Sequence, residues 1–275
     1  MNEDLFHLAP ESKGNAPGRG RLIGRRILVV GGGQQQYGLE DAPIGNGRAM
    51  CLLFAREGAT VAVADQNLES AQSTCRAIGD QGGNGFAIRA DVRNPDEIQA
   101  MVEKAWNDAG GLDGLVYNVG TGREMFLQNV TAEGWDFVLS VNLRGAALTL
   151  KAALSRIDDG SSIVLISSTA SLRPGSRIPA YDSSKAALAG LMRHAAFEGA
   201  RRYIRVNVVA PGLMDTAIGR VASKGRPSRS KTPIPLGRQG TGWETAYASL
   251  FLISRESAYI TGQVLSVDGG LSTIA

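Results

Sequence analysis

From about residue 26 to its carboxyl end, the chain alternates short apolar runs with longer segments in which apolar residues recur at helical spacing. Short runs rich in Val and Ile are typical of strands that are buried on both faces, and the segments between them can form the helical crossovers of parallel strands. Repeated β–α units of this kind build a parallel sheet covered by helices. We therefore predict an α/β fold with a doubly wound parallel sheet of about seven strands and helices on both faces.

The predicted strands lie near Arg26 to Val30, Thr60 to Ala64, Gly85 to Arg89, Gly114 to Tyr117, Ser162 to Ser167, Arg205 to Val209 and Gln263 to Val267. The predicted helices cover Asn46 to Glu57, Leu68 to Ile78, Pro95 to Ala109, Glu133 to Ile157, Pro179 to Arg202 and Trp243 to Ser254. The segment from Leu213 to Gly240 interrupts this alternation because it is rich in Pro, Gly, Ser and Arg. In an enzyme, such an interruption is a natural place for a substrate lid.

A chain of 275 residues is long for an average domain, but α/β folds of this size are commonly single units. We expect one domain over residues 21–275, preceded over residues 1–20 by a polar, Gly- and Pro-rich extension that is flexible or loosely docked. The extension lacks the apolar segment of a secretory signal. No apolar run approaches the roughly 20 residues of a membrane helix, so no membrane partner is expected.

The cysteines, histidines and overall charge argue against several classes of function. Cys51 and Cys75 fall in predicted helices without metal-ligand spacing, and His7 and His194 are the only histidines, so no metal site is expected. Two unspaced cysteines fit a reducing, cytoplasmic setting. The net charge of +3 is small, and the basic residues are not interleaved with aromatic ones, so no nucleic-acid partner is expected.

One stretch of the predicted lid, residues 219–231, is locally basic and contains no acidic residue. Its basic residues are Arg220, Lys224, Arg226, Arg229 and Lys231. Two interpretations stay open, because a run of like charge is commonly a solvated loop. The alternative is a lid that attracts an anionic substrate or a cofactor phosphate.

A glycine-rich turn follows the first predicted strand, but it is interrupted. The strand runs into Gly31, Gly32 and Gly33, whereas the next helix begins near Gly45, Asn46 and Gly47. Glycines at such a turn let the backbone approach a pyrophosphate and direct helix N-terminal N–H groups at it. The intervening stretch, residues 34–43, adds roughly nine residues to the usual motif. Either this insert loops out while Gly45 and Gly47 still close on the phosphates, which we favour, or the site is degenerate.

Asp65 ends the second predicted strand, about 20 residues beyond the glycine turn. An acidic side chain at this position accepts hydrogen bonds from the ribose hydroxyls of an adenine dinucleotide. The carboxylate would repel a 2′-phosphate. The sequence therefore predicts NAD rather than NADP.

Tyr181 and Lys185 are four residues apart in a predicted helix, so their side chains project from the same face. A free tyrosine titrates near about 10, and a neighbouring cation lowers that pKa by stabilising the phenolate. We expect the pair to give or take a proton at a carbon-bound oxygen.

Several motifs in a fixed order resemble the short-chain dehydrogenase/reductase family over about Leu22 to Leu271, nearly the whole chain. They are the modified glycine turn, Asp65, Asp91 with Val92, Tyr117 to Gly120, Val141 to Leu143, Ile166 to Ser168, Tyr181 with Lys185, Pro211 with Gly212, and Val267 to Gly270. Each motif alone is weak, but their ordered coincidence is specific. The resemblance implies a single-domain Rossmann-type fold.

The resemblance also implies a catalytic set. Ser168 lies thirteen residues before Tyr181 and would hydrogen-bond the substrate oxygen, while Tyr181 acts as the acid or base. Lys185 would lower the pKa of Tyr181 and bind the nicotinamide ribose. Asn142 would hold a water that relays protons to solvent, and a second interpretation, an amide that bends its helix, is compatible with that role.

The remaining implied cofactor contacts are Asp91 and Val92 at the adenine, Asn118 and Gly120 near the adenosine ribose, and Pro211, Gly212 and Thr216 at the nicotinamide carboxamide. Thr216 fits the N-cap of a helix equally well. Tyr117 stands where the family usually has an Asn, which we expect to alter a structural hydrogen bond near the central strands.

These observations predict an NAD-dependent oxidoreductase that transfers a hydride between nicotinamide and a secondary alcohol or ketone. One alternative is an NADPH-dependent 3-ketoacyl-type reductase, which Asp65 disfavours. Another is a catalytically silent nucleotide-binding scaffold, suggested by the interrupted glycine turn and by Tyr117. The resemblance further implies a homotetramer or homodimer.

Overall fold

A computed structural model describes residues 8–274, so the prediction that concerned His7 lies outside the described residues. The strands of this part of the chain are β1 (Arg26–Val30), β2 (Thr60–Asp65), β3 (Asn84–Arg89), β4 (Gly114–Tyr117), β5 (Ser162–Ile166), β6 (Arg205–Pro211), β7 (Met214–Asp215), β8 (Gly240–Thr241) and β9 (Val264–Val267). Within residues 8–274, seven of them form a parallel sheet in the order β3-β2-β1-β4-β5-β6-β9, and β7 pairs with β8.

The α-helices of the described residues are α1 (Pro10–Lys13), α2 (Asn46–Arg56), α3 (Leu68–Gly79), α4 (Pro95–Ala109), α5 (Ala132–Leu139), α6 (Gly145–Leu154), α7 (Pro179–Gly199), α8 (Ala217–Lys224), α9 (Pro227–Ser230) and α10 (Gly242–Ile253). Buried side chains form one apolar cluster where α4, α6 and α7 pack on the sheet and a second where α2 and α10 pack on its other face. The predicted doubly wound α/β fold is therefore confirmed.

Two predicted segments have more internal structure than their sequence pattern indicated. The helix predicted over Glu133 to Ile157 consists of α5, a π-helical turn over Ser140–Arg144 and α6. Apolar periodicity cannot detect a π-turn, which inserts one extra residue into a helix. The helices on either side of it each keep their own apolar face, so the segment still has the pattern of a single helix. The predicted lid contains β7, α8 and α9, so it is not a structureless loop.

One helical stretch, Ala132–Leu154, is long and apolar enough to cross a membrane by length and composition, with a mean hydropathy of 1.3 over its most apolar window. This differs from the expectation that no stretch approaches that length. That expectation considered only uninterrupted apolar runs. The mean hydropathy of a window can be high even when the window contains a few polar residues. Half of the window is buried inside the domain, as in a core helix of a soluble protein, which meets the same criteria.

Residues 8–20 pack against the domain, in contrast to the loose docking that their composition suggests. The Ser12 hydroxyl donates to Glu244 on α10 (2.9 Å), and the Arg56 guanidinium donates to the carbonyl of Gly14 (2.6 Å). These partners are 232 and 42 residues away along the chain, so composition near the amino end gives no sign of them.

Glu57 fixes the point where this segment enters the domain. Its fully buried carboxylate accepts the backbone N–H groups of Arg19 (3.0 Å) and Arg21 (2.9 Å) and an N–H of the Arg21 guanidinium (2.7 Å). Although burial acts in the opposite direction, these hydrogen bonds lower the pKa of Glu57. The carboxylate is therefore stabilised in its charged form.

We expect Glu57→Gln to lower the free energy of unfolding by about 3 kcal/mol, because an amide group would oppose donors with a donor and leave the Arg21 charge unpaired. Since the folded pKa of Glu57 is lowered, its contribution is present above the unfolded value of about 4.3 and is lost as the pH falls through the folded value. Urea unfolding at pH 7 and at acidic pH measures both effects.

The matched control is Glu11→Gln, which removes the same charge from an exposed ion pair with Arg19 (3.3 Å). Exposed pairs contribute about 0–1 kcal/mol, so this variant should unfold like the wild type. Equal losses in the two variants would show that burial of Glu57 is not the cause.

Candidate active site

The predicted site residues gather outside the carboxyl ends of the central strands. The strand order reverses between β1 and β4, since β1 continues to β2 on one side and β4 to β5 on the other. In open α/β sheets, ligands bind in the crevice at such a switch point. β1 ends at Val30, β4 at Tyr117 and β5 at Ile166, so the residues that follow them share this crevice.

Ser168 and Tyr181 face each other across the crevice. Ser168 follows β5, and its hydroxyl lies near enough to Tyr181, in the first turn of α7, to lower the pKa of that phenol. The Ser168 oxygen also accepts the N–H of Ala170 (3.2 Å) and so caps a short 3₁₀ turn. Ser167 is buried and donates to the carbonyl of Lys185 (2.8 Å), as expected for a structural serine. Two hydroxyl groups can therefore bond one substrate oxygen.

Lys185 is buried one turn further along α7, with 3% of its surface exposed. Its ammonium group donates to the carbonyls of Val119 (3.1 Å) and Ile166 (2.9 Å) and lies 5.8 Å from the centre of the Tyr181 ring. An ammonium group has three N–H donors, so one remains beyond these two bonds. Burial lowers the pKa of Lys185 to about 8.

The expectation that Lys185 lowers the pKa of Tyr181 is not met in this structure. Burial is the largest influence and raises the pKa of Tyr181, while the neighbouring Ser168 hydroxyl and the charge of Arg229 lower it. The physical reason is that desolvation disfavours the phenolate. The neutral phenol is consequently the form that the protein favours, which suits a group that donates a proton to a carbonyl oxygen.

Asn142 lies in the π-helical turn and is completely buried. Its side-chain oxygen accepts the N–H of Thr121 (2.8 Å), and its amide donates to the Thr121 carbonyl (2.9 Å) and the Ser184 hydroxyl (2.9 Å). The side chain thus ties the helix to the loop after β4, in keeping with the interpretation as an amide at a helix bend. Its role in holding a relay water stays a prediction.

Tyr117 stands where the family usually has an Asn, and it forms a structural hydrogen bond of its own near the central strands. The buried hydroxyl donates to the carbonyl of Val141 (2.6 Å), which borders Asn142 in the π-turn. β4 nevertheless pairs in register with β1 and β5. Sequence reasoning identified the position as unusual but could not supply the partner, because the bond joins residues 24 apart in the chain.

Despite the insert, the backbone at the start of α2 packs closely against the backbone that follows β1. Gly47 is buried at the start of α2, and a Cβ atom there would collide with the Gly31 carbonyl oxygen and lie 2.6 Å from the Asn118 amide nitrogen. The same Asn118 amide donates to the Gly31 carbonyl (2.9 Å). Gly32 packs equally closely, since its Cβ would lie 2.8 Å from the Cys51 sulfur.

The insert loops out of the turn, which is the arrangement that we favoured. The Gln34 side chain closes its base, because its amide donates to the Pro43 carbonyl (3.1 Å) and its oxygen accepts the N–H of Gly45 (2.7 Å). The Gln34 backbone N–H donates to the Ser70 hydroxyl (2.6 Å). Sequence reasoning missed this clamp, since nothing in a run of three glutamines distinguishes the one that folds back.

Asp65 lies at the carboxyl end of β2, beside the glycine turn. Its carboxylate accepts the N–H groups of Gly33 (3.0 Å) and Asn67 (3.0 Å), which fix its orientation. The side chain is half-buried, so one side stays open to a ligand.

The other predicted contacts border the same crevice. Asp91 pairs with Arg93 (2.5 Å), which lowers the pKa of Asp91, and Val92 beside it is buried. Gly120 is exposed, and a Cβ there would lie 3.0 Å from the Lys185 nitrogen.

Pro211, Gly212 and Thr216 lie at the carboxyl end of β6 and just beyond it. Pro211 ends the strand, and the Gly212 N–H donates to the Val267 carbonyl (2.9 Å). Thr216 is the N-cap of α8, where its hydroxyl accepts the N–H of Gly219 (3.2 Å). The N-cap interpretation is therefore correct for this residue, and a contact with a cofactor stays a prediction.

These residues fit an adenine dinucleotide. The glycine turn is packed so closely that a Cβ atom at Gly47 would collide with it, and the side-chain oxygen of Asn46 beside it is buried without a hydrogen-bond partner in the described part of the chain. The turn would hold the diphosphate, Asp65 the adenosine ribose and Lys185 the nicotinamide ribose. No cluster of His, Cys, Asp and Glu within residues 8–274 could hold a metal ion.

Comparison with known proteins agrees with this geometry. A family model described as enoyl-(acyl carrier protein) reductase matches residues 43–272. The human 3-oxoacyl-[acyl-carrier-protein] reductase is 40% identical over 232 residues, 84% of this chain and 94% of the relative. The Thermotoga maritima 3-oxoacyl-[acyl-carrier-protein] reductase FabG is 36% identical over 253 residues, 91% and 99% of the two chains. The chain belongs to the short-chain dehydrogenase/reductase family.

Solved structures support the same assignment. A short-chain dehydrogenase/reductase from Burkholderia xenovorans superposes with a TM-score of 0.85 at 34% identity and covers 92% of this chain and 98% of its own. Levodione reductase superposes with a TM-score of 0.85 at 28% identity, covering 92% and 100%. As a short-chain dehydrogenase/reductase, the protein is an oxidoreductase that interconverts CH–OH groups and ketones with a nicotinamide cofactor.

Proposed function

We propose that this short-chain dehydrogenase/reductase reduces the keto group of a 3-oxoacyl compound with NADH. The observation that carries the proposal is that the hydroxyls of Ser168 and Tyr181 lie beside each other, with the buried Lys185 one helical turn beyond Tyr181. A keto oxygen between them can accept a hydrogen bond from each hydroxyl. The names of the relatives at 36–40% identity favour the 3-oxoacyl class among ketones.

The protein's own groups perform the proton transfer. Ser168 and Tyr181 donate hydrogen bonds to the keto oxygen, which polarises the carbonyl and stabilises the charge that develops on it. A nicotinamide dinucleotide held by the crevice would supply the hydride for the keto carbon. Tyr181 then gives its proton to the oxygen, so that the C=O group becomes CH–OH, and solvent reprotonates the phenolate that remains.

The choice of NADH over NADPH is supported by Asp65. Two backbone N–H groups hold its carboxylate in place, so the carboxylate cannot easily turn away from a ligand. A ribose with free hydroxyls would donate to it, whereas a 2′-phosphate would bring a second negative charge against the first. An NADPH-dependent enzyme instead needs a cationic side chain here to bind the 2′-phosphate.

The decisive experiment compares kcat/KM with NADH and NADPH for reduction of acetoacetyl-coenzyme A, a 3-oxoacyl thioester. We expect NADH to be preferred by about tenfold or more, since two charges near each other at a protein surface repel by a few kcal/mol. Asp65→Ala should reduce the preference. Asp80→Ala, a change of an exposed carboxylate at the end of α3, should leave it unchanged.

Each contrary result identifies a different alternative. A preference for NADPH would favour the NADPH-dependent ketoacyl reductase. Absence of NADH binding at millimolar concentration would favour the silent scaffold. Reduction of crotonyl-coenzyme A instead of the keto thioester would favour the enoyl chemistry that the family-model description names. The homo-oligomer implied by the resemblance stays a prediction, which light scattering can test.

A further inference from the structure

The lid, residues 213–240, begins and ends at one place in the fold, because β7 pairs with β8. Met214 lies opposite Gly240 in this pair, and Asp215 lies opposite Thr241. β7 follows closely on β6, whose carboxyl end borders the crevice. The base of the lid is therefore set by the junction at which β8 passes into α10, residues 240–244.

The far part of the lid touches the segment that joins Ser168 to Tyr181. A guanidinium N–H of Arg226 donates to the carbonyl of Ser176 in that segment. The basic stretch of the lid, residues 219–231, is therefore held against the domain at this point and is not a freely solvated loop. Its attraction for an anionic ligand stays a prediction.

Glu244, in the first turn of α10, ties the lid to the junction. Its carboxylate accepts two N–H groups of the guanidinium of Arg238 (2.6 and 3.0 Å), which lies near the end of the lid. The same carboxylate accepts the backbone N–H of Thr241 (2.8 Å) and so completes the capping box of α10. Burial acts to raise the pKa of Glu244, but these hydrogen bonds lower it, so the group at the junction is a charged carboxylate.

The amino-terminal arm, residues 8–20, reaches the same carboxylate. The Ser12 hydroxyl donates to Glu244 (2.9 Å), and the Thr241 hydroxyl donates to the carbonyl of Ser12 (2.8 Å). The arm is therefore bonded at one residue both to the group that holds the lid and to the last residue of β8.

Only glycine fits the docked arm at residue 14. Gly14 has a left-handed backbone with a φ of +74°, and a Cβ atom there would lie 2.1 Å from the Cε2 atom of the Trp243 ring. Burial alternates along this part of the arm, with Ser12, Gly14 and Ala16 buried and the residues between them exposed. One side of the arm is thus packed against the domain, with Gly14 on the junction.

The junction also abuts the glycine turn that we assign to the diphosphate. Gly242 is buried at the start of α10, and a Cβ atom there would lie 2.7 Å from the carbonyl oxygen of Ile44 and 3.2 Å from the carbonyl carbon of Gly45. Gly45 is the N-cap of α2. The junction therefore contacts the arm, the lid and the glycine turn.

Undocking of the arm would weaken the hold of the junction on the lid. The Glu244 side chain is 23% exposed with the arm in place, and Ser12 supplies one of its hydrogen bonds. Without the arm, water reaches the carboxylate, and an ion pair in water contributes little stability. The Arg238 guanidinium is then held less firmly, and the base of the lid with it.

We propose that the amino-terminal arm positions the lid: docked on the junction, it keeps the base of the lid against the glycine turn, and its release opens the crevice. Ser12 and Gly14 are therefore positioning residues, which act on the active site through the junction. The inference goes beyond the proposed function, since it depends neither on the ketone nor on the choice of dinucleotide.

Gly14→Ala in the full chain tests the inference, because the added methyl group would collide with Trp243 and keep the arm from docking. Limited trypsin digestion then measures the opening of the lid. Cleavage after Arg229 requires opening, since its guanidinium is bonded to the Gly219 carbonyl (2.9 Å) and the Ser223 hydroxyl (2.7 Å). We expect this cleavage to become about 10- to 100-fold faster, the usual effect of losing a hydrogen bond to a charged group.

Two other cleavage sites in the same digest interpret the result. Faster cleavage after the exposed Lys13 shows that the arm has been released. Cleavage after Lys151, an exposed residue of α6, reports unfolding of the whole domain and should stay within about twofold of the wild type. Equal acceleration at Lys151 and Arg229 would mean that the variant unfolds globally and would contradict an effect on the lid alone.

Gly24→Ala is the matched control. Gly24 has the same φ of +74°, but no heavy atom lies within 4 Å of the position of its Cβ atom. The control therefore has the backbone strain of Gly14→Ala without the collision. Its lid should be cleaved at the wild-type rate, and equal acceleration in the two variants would assign the effect to strain and overturn the inference.

Steady-state kinetics separate positioning from damage to the chemistry. Because the substrate binds the closed crevice, its apparent affinity falls with the closed fraction. Gly14→Ala should therefore raise the KM for acetoacetyl-coenzyme A by about threefold or more and leave kcat within about twofold. A loss in kcat with an unchanged KM would contradict a role in positioning the lid.

A double-mutant cycle keeps the test independent of the folding of Gly14→Ala. Ser12→Ala removes the hydrogen bond from the arm, and Arg238→Ala removes the ion pair from the lid. If Ser12 acts through the pair of Glu244 with Arg238, each single variant speeds cleavage after Arg229, and the double variant is within about twofold of Arg238→Ala. Multiplicative effects in the double variant would overturn the inference.

Failure of this inference is distinguishable from failure of the proposed function. Release of the arm, seen as faster cleavage after Lys13, without faster cleavage after Arg229 would overturn the inference and leave keto reduction intact. Faster cleavage of the lid in a protein that reduces no keto compound would support the inference and contradict the proposed function.

Discussion

Tyr181→Phe is expected to lower kcat for keto reduction by about a thousandfold, within the range of 10²- to 10⁴-fold for loss of a general acid. The change removes one oxygen and keeps the ring that packs at the start of α7. Without the hydroxyl, Ser168 is left as the only hydroxyl of the pair to bond the substrate oxygen, and no group remains to give it a proton. NADH affinity should stay close to the wild-type value, because Lys185 still reaches the crevice from its bonds to Val119 and Ile166.

Stopped-flow and steady-state rates, together with an NADH fluorescence titration, separate these two effects. Tyr259→Phe is the control, since that side chain is fully exposed in the described structure and belongs to no part of the site. The variant Tyr181→Phe should also lose the pH dependence of kcat that the phenol causes. A variant that retains more than about a tenth of the wild-type kcat would remove Tyr181 from the proposed mechanism.

Gly47→Ala is expected to abolish dinucleotide binding, with an increase in the Kd for NADH of at least about a hundredfold. The added methyl group would collide with the Gly31 carbonyl oxygen, which is backbone and cannot rotate away. The turn must then open, so the N-terminus of α2 moves from its place and the diphosphate loses the close approach of the backbone. Overpacking should also cost about 1–3 kcal/mol of folding free energy.

Gly79→Ala is the matched control because it adds the same methyl group at the last residue of α3, where no heavy atom lies within 4 Å. It should bind NADH normally. Circular dichroism of Gly47→Ala will show whether the domain folds, and a titration of the folded fraction gives the Kd. Binding within about threefold of the wild type would mean that the glycine turn does not hold the diphosphate.

Burial acts on both titratable groups of the catalytic set, Tyr181 and Lys185. Burial raises the pKa of Tyr181 and lowers that of Lys185, so the protein by itself opposes the charged form of both groups. Reduction starts from the neutral phenol and leaves a phenolate, whose charge burial opposes. Oxidation of an alcohol would require the phenolate, whose formation the same burial disfavours.

Local sequence patterns predicted most of the fold. Apolar periodicity reflects which faces of a strand or helix are buried, so it placed β1 and β4 at their observed bounds and α4 likewise. Motif spacing also placed Asp65 at a strand end and Tyr181 with Lys185 on one helical face. These features depend on residues a few positions apart, whose geometry the chain fixes locally.

Tertiary structure decided the features that join distant segments. The docking of residues 8–20, the Gln34 clamp that turns the insert outward and the bond from Tyr117 to Val141 each depend on a partner that no local pattern specifies. The pKa of Tyr181 was predicted in the wrong direction for the same reason. The neighbouring charge is visible in the sequence, whereas desolvation arises only when the whole crevice, including the lid, has assembled around the phenol.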